Sequence, residues 1–169
     1  MKAIIVLVMH GAPPNNFPPL EMTELFGLQA RLKRATGAER VALERRHLEL
    51  DTKMRTWPRT AQNDPFYSGS QELAAHLSRV TGCEVIVGFN EFCSPDLDDA
   101  LNQAIARGAE KVIVITPMMT RGGEHSEVDI PAAVQTAQVR HPEIPIQYVW
   151  PFKVSEVANF LAKQIANLI

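Results

Sequence analysis

Residues 84–116 read EVIVGFNEFCSPDLDDALNQAIARGAEKVIVIT, two apolar runs around one amphipathic segment. Glu84-Val85-Ile86-Val87-Gly88-Phe89 is a short apolar run rich in β-branched residues and predicts a strand. Ser94-Pro95, followed by Asp96, Asp98 and Asp99, predicts a helix N-terminus: a capping serine, a proline in the first turn, and acids facing the positive end of the helix dipole. Leu97, Ala100, Leu101, Ala104 and Ile105 recur at helical spacing and form one apolar face. Gly108 ends that helix, and Lys111 to Thr116 predicts the next strand. Strand, helix and strand in such a span make a βαβ unit, whose strands run parallel with a right-handed crossover.

The same alternation extends outward in both directions. Ala3-Ile4-Ile5-Val6-Leu7-Val8-Met9 is continuously apolar, as expected of a strand buried on both faces of a parallel sheet. A helix is predicted over about 70–81, with Ser70 as its cap, Leu73, Leu77 and Val80 on one face and Gly82 closing it. Beyond the third strand, a loop from Pro117 to Glu124 leads to a helix starting near Asp129-Ile130-Pro131. The fourth strand is Ile146-Gln147-Tyr148-Val149, and the last helix aligns Val154, Val157, Leu161, Ile165 and Leu168. The expected fold is α/β: a four-stranded parallel sheet in the order 2-1-3-4, with helices on both faces. Residues 13–64 do not fit the alternation and read as a helical insert after strand 1, split at Gly37. Its basic residues include Arg31, Lys33, Arg34, Arg40, Arg45, Arg46, Lys53 and Arg55, which suggest either a solvated helix face or the wall of a lid. A single domain over residues 1–169 carrying this insert is the expected organisation.

Composition excludes several classes. Hydrophobic residues are 46% and charged residues 21% of the 169, the balance of an ordinary globular protein. Seventeen basic against 19 acidic residues give a net charge of -2, so a globally basic nucleic-acid binder is not expected. The two cysteines, Cys83 and Cys93, are too few for a disulfide scaffold or a cysteine-rich zinc module. No apolar run approaches the ~20 residues of a membrane span, and the first strand does not read as a signal peptide, so a cytoplasmic protein without a membrane partner is expected.

In a sheet of order 2-1-3-4, ligands bind at the carboxyl ends of the strands, at the switch point between strands 1 and 3. His10 follows strand 1, Glu124-His125 follows strand 3 across a glycine-containing loop, and Glu91 follows strand 2. Topology thus draws two of the five histidines and nearby carboxylates to one crevice. Imidazoles are common ligands of divalent transition metals, and two of them leave coordination positions open. The other histidines have plainer readings: His47 and His76 as solvated helix residues, His141 as a helix-end residue. Gly122-Gly123 lacks the Lys-Ser/Thr of a phosphate loop, and no GxGxxG follows strand 1, so no organic cofactor is expected.

These residues resemble a known family. Val8-Met9-His10-Gly11 is similar to the first-strand signature of the CbiX-type sirohydrochlorin chelatases. The string from Pro117 through Gly123-Glu124-His125 to Asp129-Ile130-Pro131 is similar to that family's proline, glycine loop, G-x-H and D-I-P helix start. Glu91 with Ser94-Pro95 resembles its strand-2 glutamate and proline-opened helix. The resemblance covers residues 1–12 and about 66–160. Ala12 replaces the usual serine, Thr120 and Arg121 replace apolar residues, and the insert is more reminiscent of ferrochelatases, which share the fold.

The resemblance implies a chelatase that inserts Co²⁺, Fe²⁺ or Ni²⁺ into a tetrapyrrole such as sirohydrochlorin. It implies His10 and His125 as metal ligands and a carboxylate as the base for the pyrrole protons, Glu91 first, then Glu124 and Glu127. An acidic macrocycle calls for basic residues at the rim, and Arg121 and Lys153 stand near strand ends, with Glu124 beside His125. The resemblance also implies a homodimer, because longer chelatases carry two such halves. The alternatives are a non-catalytic metal- or tetrapyrrole-binding protein of the same fold, and a hydrolase using a metal-activated water.

Overall fold

The computed structural model describes residues 1–166 and 168, and among them the chain forms a four-stranded parallel sheet in the order β2-β1-β3-β4. The strands are β1 (Ala3–Met9), β2 (Glu84–Phe89), β3 (Lys111–Ile115) and β4 (Ile146–Tyr148). Helices α1 (Pro19–Leu32), α2 (Gly37–Arg55) and α3 (Pro65–Thr81) lie between β1 and β2. Helix α4 (Leu97–Ala106) joins β2 to β3, α5 (Ile130–Arg140) joins β3 to β4, and α6 (Val154–Ile165) follows β4. The order 2-1-3-4 is the one the alternation predicts.

Side chains alternate across β1, so the central strand feeds two cores. Ile4, Val6 and Val8 pack with Leu97, Leu101 and Ala104 of α4 and Ile130 and Ala137 of α5. Leu7 and Met9 pack on the opposite face with Ala74 and Leu77 of α3. The insert holds a third cluster, in which Phe17, Leu25 and Leu28 meet Leu43, Leu50 and Met54. Phe92, from the loop after β2, packs against both this cluster and the α3 face, and so joins the insert to the sheet.

Several predicted boundaries move. Helix α3 begins at Pro65, not Ser70, because Asp64 is the cap, its carboxylate accepting the Tyr67 amide at 2.9 Å. Ser70 is buried inside the helix, and its hydroxyl donates to the Phe66 carbonyl. Val80, predicted on the apolar face, is exposed, whereas Gly82 closes the helix in the left-handed conformation as expected. Helix α4 is capped by Asp96 rather than Ser94, with the Asp99 amide donating to it at 2.8 Å. Helix α5 is preceded by a π-helical turn, His125–Asp129, where the sequence predicts only a helix start near Asp129. Helix α6 carries the predicted apolar residues, yet none is buried, and Leu168 lies beyond its end.

The charges of the insert are largely answered within it. Residues 13–64 hold nine basic and seven acidic side chains. Arg46 pairs with Glu24, Lys53 with Glu21 and Arg40 with Glu44. The hydrogen bond from Arg46 holds the Glu24 carboxyl below its usual pKa range. Most of the basic run is thus paired within a two-helix layer, while Arg55 turns toward the loop after β2.

Candidate metal centre

Strand register places the first two residues. Met9 is aligned with Phe89, so His10 and Glu91 leave neighbouring strand ends together. The Asn90 amide donates to the Met9 carbonyl at 3.0 Å and the Glu91 amide to the His10 carbonyl at 2.9 Å, extending the ladder past the strands. Gly11 makes this approach possible. A Cβ there would lie 1.9 Å from the Glu91 carbonyl oxygen, and its φ of +101° is one that other residues rarely adopt.

The third residue arrives on the π-helical turn. The Ile130 amide donates to the His125 carbonyl, closing the wider turn that holds His125 and Asp129. The His125 Nδ1 lies 2.6 Å from an Asp129 carboxylate oxygen. A carboxylate only accepts, so this contact holds the proton on Nδ1 and leaves the Nε2 lone pair free. That Nε2 lies 3.6 Å from Glu91 Oε1, while His10 Nδ1 lies 3.6 Å from Glu91 Oε2. The two imidazole centroids are 4.8 Å apart and nearly perpendicular.

His10, Glu91 and His125 each offer a ligand atom, and these atoms lie within 4.8 Å of one another. Two imidazoles and a carboxylate form a three-ligand set that suits a divalent transition metal and leaves positions open for an incoming ligand. The set opens toward solvent at His10, whose side chain is 50% exposed, and is deepest at His125, at 21%. Glu91 and His125 border a cavity of about 260 Å³, walled by His47, Asp51 and Arg55 of α2 and by Asn90, Phe92 and Asp129.

The other residues singled out in the sequence stand elsewhere. Arg121 is exposed and donates to Glu127 at 3.0 Å, bordering a separate cavity with Tyr148 and Trp150. Glu124 is exposed at the start of the π-helical turn, and Lys153 is exposed at the start of α6. Neither borders the cavity beside His125. Glu127 accepts from the Gly122 amide and from Arg121, which hold its carboxyl below the usual range and occupy it away from His10, Glu91 and His125. His47, read as a solvated helix residue, is half-buried on the cavity wall. Asp129 was missed as a partner of His125, although the His-x-x-x-Asp spacing is a visible signal for two residues on one helical face.

The CbiX family model matches residues 62–168, more than half of the chain. Glu91 and His125 lie inside that match and His10 outside it. A sirohydrochlorin cobaltochelatase of Priestia megaterium is 36% identical over 75 residues, 44% of this chain and 24% of its own length. A sirohydrochlorin ferrochelatase of the same organism is 29% identical over 80 residues, 47% of this chain and 30% of its own. The matched stretch is therefore less than a third of either relative. The solved structure of a CbiX protein from Marinobacter aquaeolei VT8 shares the fold, with a TM-score of 0.54 at 15% identity over 98% of this chain and 94% of that one.

Proposed function

Since the chain belongs to the CbiX family, we propose that it is a metal chelatase inserting Co²⁺ or Fe²⁺ into sirohydrochlorin. The observation that carries this reading is the convergence of His10, Glu91 and His125 within 4.8 Å at the carboxyl ends of the strands. The names of the two Priestia megaterium relatives support both metals.

Insertion makes two demands: the metal must be held loosely enough to be handed over, and two pyrrole N–H protons must leave. Three protein ligands leave positions that macrocycle nitrogens can fill. Asp129 fixes the His125 tautomer, so Nε2 faces the metal. Glu91 stands between the imidazoles, where its carboxylate serves first as ligand and then as acceptor of a pyrrole proton. His10, the ligand most open to water, lets go of the metal first and carries the other proton to solvent. The cavity of about 260 Å³ beside Glu91 and His125 is too small for a tetrapyrrole, so the macrocycle lies over the open side of the set, at His10.

The test is metal insertion into sirohydrochlorin followed by absorbance, with Co²⁺, Fe²⁺ and Ni²⁺ in parallel. The wild type should exceed the uncatalysed rate, and His125→Ala should abolish the excess while leaving the fold intact. A wild type that binds Co²⁺ but adds nothing to the uncatalysed rate is a binding protein instead.

Two finer readings belong to the same proposal. A homodimer is supported by α6, whose Phe160, Leu161 and Ile165 are exposed beside an apolar groove that includes Leu73, Met119 and Phe152. Light scattering should give twice the chain mass. A cytoplasmic setting is supported by the two free thiols, Cys83 and Cys93, and no helix among the described residues is long and apolar enough to cross a membrane.

A further inference from the structure

The insert reaches the metal centre through two arginines. The Arg59 side chain is 6% exposed and pairs with Asp64, which is 1% exposed. Its Nη1 also donates to the Ala12 carbonyl at 2.7 Å, and its Nη2 donates to the Met54 carbonyl at 2.8 Å and to the Phe92 carbonyl. One guanidinium thus ties the chain just past His10 to the chain just past Glu91. Arg55, the last residue of α2, donates to the Asn90 carbonyl at 3.4 Å and the Cys93 carbonyl at 3.3 Å, while Asp51 fixes its Nε at 2.7 Å. The Arg55 carbonyl accepts the Ser94 amide at 3.1 Å. Glu91 is therefore flanked on both sides by carbonyls held from the insert.

The held segment would not keep this shape alone. Phe92 has a φ of 58°, an unfavourable conformation for an aromatic residue. The Cys93 amide folds back on the Glu91 carbonyl at 2.6 Å. The Phe92 ring packs edge-on against Phe26 of α1 at 5.9 Å, so the insert also holds the side chain of the strained residue.

We propose that the insert is a brace for the metal centre and that Arg55 and Arg59 are positioning residues. They hold Glu91 and His10 at a spacing that closes on one ion. The inference rests on the metal reading of His10, Glu91 and His125, and goes beyond it by giving the insert a task. Arginine suits that task because its planar fork reaches several carbonyls at once, whereas lysine presents a single point charge.

The test uses the full chain with Arg59→Lys and Arg55→Ala. The first keeps a cation beside buried Asp64 and loses the fork; the second, at a partly exposed position, keeps the measurement possible if the first does not fold. Co²⁺ titrations with ligand-field spectra are recorded beside unfolding curves and amide exchange. Both variants should unfold cooperatively, bind Co²⁺ about 10- to 100-fold more weakly, show altered ligand-field bands, and exchange faster at residues 90–93 but not in α4. Folded variants with wild-type affinity and spectrum overturn the brace alone. A wild type that takes up no Co²⁺ overturns the metal reading and the brace together.

Discussion

Replacing Gly11 with alanine puts a methyl group 1.9 Å from the Glu91 carbonyl oxygen and 2.9 Å from its carbonyl carbon. Both are backbone atoms, so no side chain can swing aside. A carbon and a carbonyl oxygen settle at roughly 3.3–3.6 Å, so the two segments must separate by about 1.4 Å or more. That displacement acts between His10 and Glu91, whose ligand atoms lie with that of His125 within 4.8 Å. A misplacement of about 1 Å costs on the order of 100-fold in rate when geometry governs the reaction. The φ of +101° adds a separate cost, at least the roughly 1–2 kcal/mol of a left-handed L-residue.

The expected outcome is a fall of about 100-fold or more in metal insertion into sirohydrochlorin, with an unfolding free energy lower by about 2 kcal/mol or more. Gly82→Ala is the control, because its φ is +70° and an added Cβ meets nothing within 4 Å. It should lose about 1 kcal/mol of stability and none of the insertion rate. A Gly11→Ala protein with wild-type rate and wild-type unfolding refutes both the close approach and the place of Glu91 in the site.

Asp129→Asn should weaken Co²⁺ binding about 10- to 100-fold by removing the carboxylate that orients His125, read by calorimetric titration; unchanged affinity removes Asp129 from the site. Burial pushes the Cys93 thiol pKa up, so one thiol per chain, Cys83, should react with a disulfide reagent at pH 8 until the protein is unfolded; two equally fast thiols contradict that burial. The Glu127 carboxyl is held low by the Gly122 amide and then by Arg121, so its contribution is present above its unfolded pKa of ~4.3 and lost as pH falls through the lower folded value. Glu127→Gln should therefore flatten the fall in unfolding midpoint below about pH 4.5, and an identical acid limb in the two proteins refutes the linkage.

The sheet was legible because its signals were redundant. The apolar runs at 3–9, 84–89 and 111–115 have glycines or prolines at their ends, and the apolar spacing of α4 agrees with its acidic first turn. His10, Glu91 and His125 were legible for the topological reason that each leaves the carboxyl end of a strand near the switch point. Boundaries were less so, because Asp64, Ser70, Ser94 and Asp96 are all good caps, and only the packed structure selects among them. Arg121 and Lys153 illustrate another limit: nearness to a strand end does not fix where a long side chain points. The contacts of Arg55 and Arg59 left no pattern at all, since their partners across the site are backbone carbonyls, which every residue possesses.

The supports of His10, Glu91 and His125 are unequal, and the inequality matches the proposed reaction. His125 is fixed by Asp129 and by the π-helical turn, and Glu91 is held by the ladder to His10 and by the two arginines. The His10 ring, half exposed, has a 3.2 Å contact from Nδ1 to the carbonyl of its neighbour Gly11. A resident metal would call for equal and deep support, as in structural sites, where every position is closed. A metal in transit calls for two firm ligands and one that can let go first. In the proposed mechanism that one is His10, on the side where the macrocycle arrives. The insert then contributes rigidity at Glu91 rather than charge at the mouth, consistent with the pairing of its basic residues to its own acids.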